Sequence, residues 1–179
     1  MIMTTRIEKP KPGEYAPYYQ PYIDKVQDPD PLHLMKSQIM DLQALLSEIP
    51  AEKEEFAYAK NKWTIKQLIG HIIDAERIFT YRALRIARGD QTPLHGFEEN
   101  DYAASGRFNE RSLPDLGHEY AVVRESTVAL FKSFDAETLL RTGMANNNTV
   151  SVRAILYIIA GHQLHHEQVL RERYLPEIE

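Results

Sequence analysis

The chain of 179 residues contains no cysteine. Disulfide bonds, thiolate metal ligands and a cysteine nucleophile are therefore excluded. A metal ion bound by this protein would have to be held by histidine, carboxylate or water.

Long apolar runs and an excess of positive charge are also missing. No stretch approaches the roughly 20 apolar residues of a transmembrane helix, and residues 1–12 lack the hydrophobic segment of a signal peptide. The 21 Lys and Arg are outnumbered by 26 Asp and Glu, which gives a net charge of −5. Nucleic acids and anionic membranes attract clustered cations, so we expect neither as a partner. We expect a cytoplasmic protein.

The first 29 residues differ in composition from the rest of the chain. They contain Pro10, Pro12, Pro17, Pro21 and Pro29, together with Tyr15, Tyr18, Tyr19 and Tyr22. Because proline interrupts helices, residues 1–29 are predicted to form an extended arm without a helix, with its tyrosines against the surface of the protein. Residues 30–179 are long enough for one domain.

Four amphipathic helices are predicted in residues 30–179, because apolar residues recur there at helical spacing behind capping residues. The helices are expected over residues 32–49, 64–88, 112–134 and 151–174. Residues 52–62 form a charged connection, residues 89–111 are rich in Gly, Pro, Asn and Asp, and no alternating run is long enough for a sheet. The pattern predicts an all-α fold, a four-helix bundle with a long crossover at residues 89–111 between helices two and three.

His162 and His166 are the most informative residues of the fourth helix. Residues four apart project from one face of a helix, so one metal ion can bind both imidazoles. Both lie on the same face as the apolar Ile155 and Ile159 and are therefore expected to point into the bundle. His165 lies at the margin of this face, and a pairing of His162 with His165 is a weaker alternative.

His71, in the second turn of helix two, is a candidate third ligand. Three histidines would leave a position open for water or substrate. Helical periodicity, however, places His71 roughly 90° from the apolar centre of its helix, so a structural hydrogen-bonding role stays open. Glu76 falls within the apolar face, where it is expected to need a cationic or hydrogen-bonding partner. Asp74, Glu76 and His165 are all open as candidates for a general base.

At these residues the chain resembles the DinB-like superfamily of damage-inducible bacterial proteins. The matching pieces are Trp63 with Thr64, the segment HIIDAER at residues 71–77, and the segment GHQLHH at residues 161–166. The resemblance covers about residues 30–175. It implies a four-helix bundle with a long crossover, often dimeric, that holds one divalent ion, typically zinc or nickel, on His71, His162 and His166.

The resemblance implies a metal-dependent enzyme with a small-molecule substrate. Some members of the superfamily are thiol S-transferases that use low-molecular-weight thiols such as bacillithiol or mycothiol, and others are described as hydrolases or isomerases. We expect a metal that activates a thiol or water, in a homodimer. The alternatives are a non-catalytic metal-binding or stress-response module whose arm engages a partner, and a metal-free bundle in which the histidines hydrogen-bond to one another.

Overall fold

The computed structural model describes residues 7–177, in which seven α-helices and one β-hairpin form. Residues 1–6 of the expected arm and residues 178–179 lie outside the described residues. The elements are α1 (Gln20–Lys25), α2 (Pro31–Ser47), α3 (Ile65–Ala87), α4 (Glu99–Ser105), α5 (Leu113–Lys132), α6 (Ala136–Leu140), β1 (Thr142–Ala145), β2 (Asn148–Ser151) and α7 (Val152–Val169).

The four long helices begin where capping side chains satisfy the free backbone N–H groups of the first turn. The Asp30 carboxylate accepts hydrogen bonds from the backbone N–H groups of Leu32 and His33 at the start of α2. Thr64 and Gln67 form a reciprocal capping box at the start of α3. Ser112 and Ser151 cap α5 and α7 in the same way, so these four starts agree with the prediction.

Helices α2, α5, α3 and α7 form a bundle, in which each helix packs beside the next in that order and α7 packs beside α2. The consecutive helices α2 and α3 therefore lie diagonally opposite each other. Residues 88–112, which include the expected crossover, join α3 and α5, and these two helices lie side by side. They also contain α4 and a 3₁₀ turn at Phe108–Glu110, which the sequence pattern did not indicate.

The expected absence of helix from the N-terminal arm is also wrong. Helix α1 forms at Gln20–Lys25, and Pro21 lies in its first turn, where proline is tolerated because no intrahelical partner is needed for its nitrogen. Ile23 of α1 is fully buried and belongs to the same apolar cluster as Ile155 and Ile159 of α7. The segment thus contributes to the core.

The hairpin of β1 and β2 corrects the all-α prediction to a mostly helical fold. The strands pair antiparallel, with Thr142 opposite Ser151 and Ala145 opposite Asn148. Asn146 and Asn147 link them with positive φ angles of 49° and 61°, which suits a tight two-residue hairpin turn. With four residues in each strand, the hairpin is too short to show the alternation that predicts a sheet. None of the helices within residues 7–177 combines the length and the apolar character of a membrane-spanning segment.

Candidate metal centre

The neighbouring helices α3 and α7 bring together the three histidines singled out by the sequence. The Nε2 atom of His162 lies 3.1 Å from Nε2 of His71 and 3.0 Å from Nε2 of His166. One ligand atom from each of the three side chains lies within 4.8 Å of the other two. His71 thus faces the other two histidines despite its position beside the apolar centre of α3. These three residues are called the histidine cluster below.

The spacing of the histidine cluster fits a single cation. Imidazole nitrogens bind zinc at roughly 2.0–2.1 Å, so two such ligands at tetrahedral or octahedral angles are separated by roughly 2.9–3.4 Å. The two measured Nε2 separations of 3.1 and 3.0 Å fall within this range. The donor set of three neutral nitrogens suits zinc, nickel and similar divalent ions.

Hydrogen bonding alone does not satisfy the histidine cluster. A neutral imidazole has one N–H donor and one nitrogen lone pair as acceptor. Nε2 of His162 therefore offers either one donor or one acceptor, yet it faces two other Nε2 atoms. In addition, Nδ1 of His166 is buried and has no hydrogen-bond partner among the described residues. Three lone pairs directed at one cation would remove the conflict at the Nε2 atoms.

Burial keeps these histidines neutral, which is the form that binds metal. The side chains of His71 and His162 are 8% and 7% exposed. Burial lowers the pKa of His71 to about 4, with a further contribution from His165. It also lowers the pKa of His162 and His166 well below the usual value, helped by the neighbouring histidines. All three imidazoles are therefore uncharged near neutral pH.

Aromatic side chains pack against the two deeper histidines. The Trp63 ring lies 4.6 Å from the His71 ring, measured between centroids. The Tyr22 ring meets His162 edge-on at 5.4 Å and His165 at 5.2 Å. The sequence did not identify Trp63 or Tyr22 as part of the site, because the contacts depend on how the connections and α1 fold over the bundle.

An open cleft of about 300 Å³ adjoins the histidine cluster. His165 and His166 line it together with aromatic side chains from the α2–α3 connection and polar side chains of α4. Small molecules bind proteins in concave sites of roughly 300–1,000 Å³, and this cleft lies at the lower end of that range. Its other lining residues are Tyr58, Asn61, Lys62, Trp63, Leu68, Glu99, Asn100, Val169 and Tyr174.

Glu76 has the cationic partner that the sequence predicts for it. The Arg124 guanidinium donates to both Glu76 carboxylate oxygens over 2.9–3.0 Å, and both side chains are fully buried. Glu76 is therefore engaged and unavailable as a general base. Asp74 lies 3.7 Å from the Arg77 guanidinium. Of the three candidates, only His165 lines the cleft.

The fold and the site together define a class, the helical bundles that present an inward-facing histidine cluster beside an open cleft. The chain belongs to the DinB superfamily, whose family model matches residues 34–170. No curated protein matches the chain in sequence.

Solved structures with the same fold include two proteins from Bacillus subtilis. YfiT, described as "a probable metal-dependent hydrolase with an unusual four-helix bundle topology", has a TM-score of 0.72 and 15% sequence identity, covering 92% of this chain and 94% of YfiT. A DinB-like protein has a TM-score of 0.57 and 21% identity, covering 82% of this chain and 91% of its own.

A third solved structure with this fold is a mycothiol-dependent maleylpyruvate isomerase, with a TM-score of 0.64 and 13% identity. The match covers 83% of this chain but 63% of the isomerase. At these identities the three likenesses show a shared fold, and chemistry has to be argued from the site.

Proposed function

We propose that this protein is a divalent-metal-dependent enzyme with His71, His162 and His166 as the metal ligands. The observation that carries the proposal is the convergence of three neutral Nε2 atoms, two of them 3.1 and 3.0 Å from the third. Zinc and nickel are the expected ions, since both accept imidazole nitrogen readily. Three protein ligands also leave a coordination position open, as catalytic sites do.

A divalent cation held there would act as a Lewis acid and lower the pKa of a thiol or water at the open position. The protein's own residues supply the surroundings for this chemistry. Burial keeps the three histidines neutral. The Trp63 ring packs against the His71 ring, and the Tyr22 ring packs against the His162 ring. His165 borders the cleft beside His166 and is placed to contact a bound substrate.

The substrate is a small molecule that fits a cleft of about 300 Å³. Activation of a thiol would give a thiol S-transferase or a thiol-dependent isomerase, and activation of water would give a hydrolase. The relatives described as metal-dependent and as mycothiol-dependent support these two directions. We also propose a cytoplasmic homodimer without nucleic-acid partners. Its N-terminal arm at residues 1–29 packs, through α1, against the bundle domain at residues 30–179.

Metal analysis combined with activity assays tests this function. The purified full-length protein is freed of metal, titrated with Zn²⁺ and with Ni²⁺, and assayed for ester hydrolysis and for transfer of low-molecular-weight thiols. We expect one ion per chain, and turnover that is lost in His162→Ala. His33→Ala, which changes a histidine exposed at the surface, is the matched control. Activity unchanged in His162→Ala would overturn the proposal.

A non-catalytic role for the metal is the second candidate, favoured by the position of the histidine cluster between α3 and α7. An ion there would join two long helices and stabilise the bundle. This role predicts a large gain in thermal stability on adding metal, with no turnover across hydrolysis, isomerisation and thiol-transfer substrates.

A further inference from the structure

We propose that Tyr22 is a positioning residue for the metal site and that α1 is therefore part of this site. The inference rests on the proposed function, because it assigns a residue that orients His162 toward a cation. Tyr22 lies outside residues 34–170, the part of the chain that the family model matches. The contribution of α1 would thus lie outside the segment that the family model describes.

The backbone of α1 touches α7 one residue before His162. A Cβ atom built on Gly161 would lie 1.9 Å from the carbonyl oxygen of Tyr22 and 2.5 Å from its carbonyl carbon. Real atoms do not approach this closely, and the obstacle is backbone that cannot rotate away. Glycine at position 161 is therefore what permits α1 to pack at this level of α7.

The Tyr22 side chain occupies the surroundings of the His162 ring. The two rings are 5.4 Å apart at an interplanar angle of 89°, an edge-to-face arrangement that aromatic rings favour. The Phe79 ring packs against the same imidazole, with 6.1 Å between the ring centroids. Because Tyr22 and Phe79 both pack against the His162 ring, they limit its rotation. Its Nε2 atom therefore stays directed at His71 and His166.

Polar contacts hold the N-terminal segment along α7 on either side of Tyr22. The Glu14 carboxylate accepts from Ser151 Oγ and Arg153 Nε, each at 2.7 Å. Lys25 Nζ donates to the side-chain oxygen of Gln168. Between these contacts Ile23 is fully buried. Tyr22 is thus supported by a segment that is fixed to α7 both before and after it.

The test measures metal affinity on metal-free full-length protein, by competition with a chromophoric chelator for Zn²⁺ and by the visible absorption of bound Co²⁺. Tyr22→Ala and Tyr22→Leu remove the ring, whereas Tyr22→Phe keeps it. Tyr81→Ala, at an exposed tyrosine of α3, is the matched control. Changes in the residues that support metal ligands typically weaken affinity by about 10- to 100-fold.

We expect Tyr22→Ala and Tyr22→Leu to lose Zn²⁺ affinity within this range and to alter the Co²⁺ spectrum, with Tyr22→Phe and Tyr81→Ala close to wild type. The melting temperatures of the metal-free variants are measured as well. If Tyr22 only stabilised the fold, its removal would lower the melting temperature without changing the Zn²⁺ affinity or the Co²⁺ spectrum. That result would overturn the inference, as would failure of Tyr22→Phe to restore affinity. If the wild type itself bound no ion, the proposed function would fall and the inference with it.

Discussion

Two polar clusters in the interior of this protein differ in how completely they are satisfied. The first, called the closed network here, contains Gln38, Glu76, Tyr120, Arg124 and Gln163, which are all fully buried. The second is the histidine cluster. Gln163 and His162 are adjacent on α7, so the two clusters lie next to each other.

Each member of the closed network has partners within the protein. Arg124 donates to Glu76 and, over 2.5 Å, to Oε1 of Gln38. The Gln38 side chain donates to the backbone carbonyl of Ala160 at 2.9 Å. Gln163 donates to the carbonyl of Gln38 at 3.2 Å and accepts from the Tyr120 hydroxyl. These bonds join α2, α3, α5 and α7, so the network specifies how the bundle is assembled.

The histidine cluster is open by comparison. Its Nε2 atoms face one another with too few protons and lone pairs to pair them all, and Nδ1 of His166 is left unpaired within the described residues. Buried polar groups are normally satisfied. The closed network is satisfied within the fold, whereas the incomplete pairing of the histidine cluster supports the proposal that it binds a ligand from outside the chain.

Breaking the closed network should have the largest effect on stability. Arg124→Met leaves the buried Glu76 carboxylate without its cation, and removal of one partner from a buried ion pair costs about 3–5 kcal/mol. Urea unfolding of metal-free protein measures this loss. The double variant Arg124→Met with Glu76→Leu should recover most of it, because no charge is then left unpaired. If the single and double variants lost the same free energy of unfolding, the unpaired Glu76 charge would not be the cause of the loss.

Metal should stabilise the protein through the histidine cluster alone. A ligand present at 100 times its dissociation constant stabilises the native state by about 2.7 kcal/mol. Thermal unfolding with and without Zn²⁺ should show this gain in the wild type and its loss in His162→Ala. Arg124→Met, although less stable, should still gain from Zn²⁺. An equal gain in His162→Ala would place the ion elsewhere.

Acid should weaken the metal-free protein through the same histidines. A buried histidine with a lowered pKa stays neutral in the native state while its unfolded form binds a proton below pH 6.5. For His71, stability is complete above pH 6.5 and falls by roughly 1 kcal/mol per pH unit down to its native pKa of about 4. Urea unfolding between pH 7 and pH 5 measures the slope. His71→Ala should reduce this slope without abolishing it, because His162 and His166 also have lowered pKa values. An unchanged slope in His71→Ala would contradict the prediction.

The smallest expected effect on stability is that of Tyr120→Phe, at the boundary between the two clusters. Tyr120→Phe removes the hydroxyl that donates to Gln163, and the loss of one such hydrogen bond costs about 1 kcal/mol. We expect this loss in urea unfolding while Zn²⁺ affinity changes less than in Tyr22→Ala. A loss of affinity equal to that of Tyr22→Ala would show that the clusters act as one unit.

Local sequence signals predicted the parts of the structure that depend on local interactions. Capping residues such as Thr64 and Ser151 fix where helices begin, and the spacing of His162 and His166 fixes that both share a face. The need of Glu76 for a partner followed from the cost of burying its charge. That Arg124 supplies it depends on α5 packing beside α3, which no local pattern contains.

The parts that sequence reasoning missed depend on short elements and on tertiary packing. Helix α1 lies among five prolines that predict an interrupted segment, although Pro21 occupies the first turn of the helix, where proline is tolerated. Asn146 and Asn147 carried a signal for a hairpin turn, but the strands beside them are short. The contact of Tyr22 with His162 had one indirect signal, the glycine at position 161.

The most direct test of the account is a crystal structure of the Zn²⁺-loaded protein with anomalous diffraction data on both sides of the zinc absorption edge. The account predicts one anomalous peak per chain, at roughly 2.0–2.1 Å from the Nε2 atoms of His71, His162 and His166. A map with no peak among these three nitrogens, or with zinc bound only at surface residues, would contradict it.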